Sequence, residues 1–136
     1  MALANQRQVE ELANSLTECA DSIHERLMKA VKNKAVNQAE AQATFQDETI
    51  LRQRANSLYI DAASCVLGDL AMPQKGLMDV VDTAKAKIRN IKQISAFVDL
   101  VADLLALAAA AYAAKPGPIL ATLKEVKEDV EALKDT

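Results

Sequence analysis

A chain of 136 residues with a 51% hydrophobic fraction carries enough apolar material for one buried core, so a single helical-bundle domain over residues 1–136 is expected. Aromatics make up only 3%, Trp is absent and there are three glycines, which argues against a sheet protein built on β-branched and aromatic residues with glycine-rich turns. The net charge of −3, from 16 basic and 19 acidic residues, argues against nucleic acid, whose binders gain most of their affinity by neutralising phosphate.

No segment alternates apolar and polar residues long enough to suggest a strand, so the fold class is all-α. The expected architecture is an antiparallel helical bundle of three long helices plus a short C-terminal helix. Residues 1–10 hold Arg7 but no apolar h-region, which fits a cytoplasmic or leaderless-export protein, the cytoplasm being the expected place, and not a classically secreted one. The first helix is placed at about 3–35 by the stripe Val9, Leu12, Leu16, Cys19, Ile23, Leu27 and Val31. Its sole histidine, His24, lies three residues after Asp21, with Glu18 and Glu25 nearby. A di-iron bundle needs that spacing twice plus two further carboxylates, and Cys19 and His24 diverge around the helix, so no metal site is predicted.

The stripe lapses over residues 33–47, where only Val36 and Phe45 are large and apolar. Either the chain turns near residues 35–44 into a hairpin, or one helix of roughly 70 residues runs through and needs a partner chain along about 100 Å. The hairpin is favoured, because a seam with nothing to bury reads as a turn, and Asn37 with Glu40 can cap a second helix. That helix is placed at about 40–71 by Leu51, Ala55, Leu58, Ala62, Cys65 and Val66. Cys19 and Cys65 both fall on apolar stripes and read as buried free thiols; a turn near Gln42 would set them level.

Gly68, Pro73 and Gly76 mark the next break. From there a 3.5-residue seam runs through Leu77, Val81, Ala84, Ile88, Ile91, Ser95, Val98, Ala102, Leu105, Ala109 and Tyr112, with no glycine or proline inside it. It predicts one helix over 74–114, with Val98 and Leu105 buried and Asp99 and Asp103 on a narrow solvated strip. Residues 94–114 are apolar apart from Ser95, Asp99 and Asp103, long enough to span a bilayer, although two carboxylates oppose insertion. Lys115-Pro116-Gly117-Pro118 is the strongest break, and a last amphipathic helix is expected over 118–134.

No nucleophile elbow, phosphate-binding glycine loop, Cys-x-x-Cys or metalloprotease helix is present. Carboxylate pairs such as Asp79/Asp82 and Asp99/Asp103 sit at ordinary helical spacing. No catalytic, cofactor-binding or metal-binding residue is therefore predicted. The expectation is a non-catalytic helical interaction or structural protein, paired as a homodimer or with another helical protein. The alternative is a membrane-active, pore-forming-like bundle that uses residues 94–114.

Overall fold

The computed structural model describes residues 1–68 and 70–133 and contains no strand among them. Five helices form the bundle: α1 (Gln6–Lys32), α2 (Gln38–Ile60), α3 (Gln74–Ile88), α4 (Ile94–Ala113) and α5 (Pro116–Ala132). A short 3₁₀ turn, Ala62–Cys65, follows α2. The all-α reading holds, with 81% helix.

The stripe read for α1 is its buried face from Val9 to Leu27, whereas Val31, at the fraying end, is exposed. Asn5 caps the start by accepting from the Gln8 amide. The other end closes with paired bonds from Ala35 N–H to the Ala30 carbonyl and from Lys34 N–H to the Val31 carbonyl. This closure places Lys34 in the left-handed region at φ 58. The chain then turns within residues 33–37, at the early edge of the predicted interval. Asn37 and Glu40 form a full capping box, each side chain bonded to the other's backbone N–H. Across the two helices, Asp21 meets Arg52 and His24 meets Glu48.

The second helix ends at Ile60 instead of 71, and residue 69 of the predicted span lies outside the described residues. Past the 3₁₀ turn Val66 is extended, and Leu67 and Leu70 are buried. The start of the chain, predicted as helix from residue 3, is a strap against this linker. Ala2 N–H bonds the Met72 carbonyl at 2.8 Å, Leu67 N–H bonds the Leu3 carbonyl at 2.8 Å, and Ala2 and Leu3 are fully enclosed. Backbone groups of both segments thus satisfy each other in the core, as buried amides must.

The predicted continuous helix over 74–114 is two helices. Its seam holds through α3, where Leu77, Val81, Ala84 and Ile88 are buried, and fails beyond residues 89–93. Arg26 of α1 supplies the physical reason. It is 7% exposed, its Nε donates to the Ile91 carbonyl at 2.7 Å, and its guanidinium lies 5.7 Å from the Phe97 ring centre. Inside a helix that carbonyl would be bonded to the amide four residues on; the break frees it for a buried cation that needs an acceptor. Ile91 itself is buried in the turn, and Arg89 pairs with Glu25 at 2.8 Å.

The break also rotates the seam. On α4 the buried side is Phe97, Leu100, Val101, Leu104, Leu107 and Ala108, while Val98 is exposed and Leu105 half-buried, so the predicted burial of Val98 is wrong. An Ala-rich helix apolar almost all round offers several seams, and its neighbours choose one. Bonds from α1 to α3 (Ser15–Asp82, Glu18–Lys85) and from α2 to α4 (Arg54–Leu105 carbonyl, Asp61–Tyr112) each advance together along both helices. α5 starts at Pro116, with proline in the first turn where its missing N–H costs nothing, and packs Ile119, Leu123, Val126 and Val130 inward. The end of the predicted 118–134 helix falls on residue 134, outside the described residues.

Candidate functional site

The outer face of α4 presents an uncovered apolar surface along the length of the helix. At 100° per residue, Tyr112, Leu105, Val98, Ala109, Ala102, Ala106 and Asp99 follow one another around an arc of roughly 140°. All are exposed except half-buried Leu105, and Asp99 is the only charge among them. Val98 and Tyr112 expose 42% and 45% of their surface. The alanines between them leave the backbone open to close approach by another helix.

The α2 side of this arc is fixed by two polar contacts. Arg54 donates from Nη1 to the Leu105 carbonyl at 3.1 Å, and the Tyr112 hydroxyl donates to Asp61 Oδ2 at 2.7 Å. That bond and the Asp61 charge raise the Tyr112 pKa by opposing a second negative charge. Gln53, Arg54, Ser57, Ala109 and Tyr112 enclose a shallow hollow of about 320 Å³ at this edge. Ile60, at the end of α2, is 70% exposed.

On the other side of the arc, α4 meets α5, and the expected solvated strip divides. Asp99 is exposed, whereas Asp103 is half-buried. Its carboxyl is pushed up to about 7, first by burial and then by hydrogen bonding to Asp129 and that residue's charge. Asp103 is therefore a half-buried group at the α4–α5 seam, where the sequence reading placed it in solvent.

The remaining sequence candidates are held apart. His24 Nδ1 lies 2.9 Å from Glu48 Oε1, and its ring packs edge-on to Phe45. Asp21, its partner in the i,i+3 reading, turns instead to Arg52, which also bonds Glu48 at 2.9 Å. Cys19 donates to the Val81 carbonyl, and burial pushes its thiol up to about 12. Cys65 donates to the Tyr112 carbonyl, and burial raises its pKa as well. Asp82 accepts from Ser15, while Asp79 pairs with Lys75 in the same helix. Among the described residues no three His, Cys, Asp or Glu side chains converge as metal ligands would. The sequence missed two features, the Arg26 tether and the Asp103–Asp129 contact. Both join residues far apart in the chain, and only Asn90, a poor helix former without a breaker beside it, hints at the turn.

No protein-family model, no curated protein and no solved structure matches this chain.

Proposed function

We propose that this protein is a non-catalytic helical interaction module of the cytoplasm, an antiparallel bundle that docks the outer face of α4 against a helix of a second copy. Another helical protein is the alternative partner, and nucleic acid is not one. The observation that carries the reading is the α4 arc: six uncharged side chains and one carboxylate, exposed over the length of the helix. Contiguous apolar surface of this kind marks interaction sites on soluble proteins. Alanine in its centre suits close helix–helix packing, and a symmetric dimer is the commonest way to cover a single self-complementary face.

Sedimentation of the full chain tests it. Wild type should show a reversible, concentration-dependent dimer, and Ala106→Glu, a good helix former placed on the arc midway along the length of α4, should be monomeric with unchanged circular dichroism. A wild-type chain that stays monomeric at high concentration, or an Ala106→Glu dimer of equal strength, would overturn self-association through this face.

One observation favours a second reading. α4 is 20 residues long with mean hydropathy 2.0, yet only 44% of its most apolar stretch is buried, less than a soluble core helix usually hides. In this reading the helix meets a lipid bilayer, and the protein should float with liposomes. Asp99 and Asp103 stand against it, since each charge near a span centre costs about 2.5–3.5 kcal/mol.

A further inference from the structure

The connection between α4 and α5 has the parts of a hinge. Only Ala114 and Lys115 lie between the helices, and Pro116-Gly117-Pro118 follows. Ala114 closes α4 at φ 55 and ψ 42, left-handed geometry that a residue with a Cβ holds at a cost. On the α4 side of the seam, Asp103 is flanked by Asp99 one turn earlier; on the α5 side stand Glu125 and Asp129, also one turn apart. Asp129 Oδ2 is buried and finds no amide, hydroxyl or cationic donor among the described residues. A protonated Asp103 would supply the missing donor.

The side chains that act on Asp103 are all carboxyls: Asp129, by hydrogen bond and charge, and Asp99, by charge, raise its pKa, whereas a hydrogen bond with Glu125 lowers it. Cations of the neighbouring elements are turned elsewhere. Arg54 of α2 bonds the Leu105 carbonyl on the far flank of α4. Lys87 of α3 and Lys127 of α5 line the groove on the far flank of α5, with Asp79 and Glu131. Among the described residues no lysine or arginine forms an ion pair with Asp99, Asp103, Glu125 or Asp129.

We propose that Asp103, Glu125 and Asp129 form a proton-operated latch: a proton shared between Asp103 and Asp129 holds α5 on α4, and its loss lets α5 swing out at the Ala114–Pro118 hinge. When Asp103 gives up its proton, the O–H···O bond is replaced by two facing carboxylates, and the released proton goes to solvent. Leu100 and Leu107, three residues before and four after Asp103, are fully buried on the flank that α5 covers and would meet water. The sign is set by Asp103, whose carboxyl in the closed seam titrates near 7, above its ordinary 3.8. The closed form binds the extra proton between those values, so closure is strongest in acid and weakens as pH rises through 7.

Amide hydrogen exchange of the full chain, read for α5 relative to α1, tests the latch. Between about pH 5.5 and 8.5, α5 protection relative to α1 should fall roughly tenfold or more, the effect of at least one pKa unit of linkage. Asp103→Asn keeps a donor for Asp129 and removes the titration, so its relative protection should be independent of pH. Glu128→Gln, an exposed carboxylate on the outer side of α5, should behave as wild type. Relative protection that does not change with pH in wild type would overturn the proposal. So would an Asp103→Asn protein that keeps the wild-type pH dependence, or loss of protection in α1 and α5 together.

Discussion

Val98 and Leu104 sit on the same helix and differ by one methylene, yet they should respond to truncation in opposite ways. Leu104 is fully enclosed, so Leu104→Ala removes buried methyl groups and leaves a void, an expected loss of about 2–4 kcal/mol. Val98 faces solvent at 42% exposure, and Val98→Ala should change stability by less than about 0.5 kcal/mol. Urea unfolding of the two variants at a concentration where the chain is monomeric checks this. A larger loss for Val98 than for Leu104 would return α4 to the seam predicted for one unbroken helix. A second residue-scale test concerns Lys34, which holds φ 58 at the close of α1. Lys34→Gly should stabilise by about 0.5–1 kcal/mol, because glycine takes the left-handed region without a Cβ clash. Destabilisation would show that the Lys34 side chain matters more than its backbone.

The elements legible in the sequence are those whose information is local. The capping box of α2 lies within four residues, Asn37 to Glu40, and its side chains have few other partners to find. The α1 and α3 stripes are legible because each of those helices has a polar back that leaves one way to face the core. α4 has almost no polar back, so its periodicity fits several faces, and the choice was made by α2, α5 and the turn that precedes it. The split at residues 89–93 was hidden for the same reason. Nothing between Ile88 and Ile94 forbids a helix, and the decisive bond comes from Arg26, two elements away in the chain. At the candidate site, the apolar character of residues 94–114 was plain, but which side faces outward was not. The raised Asp103 carboxyl likewise depends on Asp129, whose approach follows from how α5 folds back.

At the scale of the whole molecule, the helices are stitched across by bonds between elements that are not neighbours in sequence. Gln74 Nε2 bonds the Gln8 carbonyl at 3.1 Å, and Lys85 reaches Glu18 at 2.7 Å, tying the start of the second half to α1. The turn at residues 89–93 is tied to α1 by two such stitches, Arg26 to the Ile91 carbonyl and Arg89 to Glu25. Its own residues would continue a helix as readily as they end one, so the cation beneath it decides between two ways of closing the same contacts. Without that cation, α3 and α4 are free to fuse into one rod of roughly 60 Å and lend α4 and α5 to a second copy. Arg26→Met keeps much of the side chain's apolar bulk and removes the donor. The expected outcome is a fraction of dimer that separates on a sizing column, is more elongated by small-angle scattering, and returns to monomer only through unfolding. A variant that stays monomeric with unchanged dimensions would show that the turn is held by its own packing. On the expected outcome, one buried arginine would set the boundary between a self-contained fold and an exchanged one.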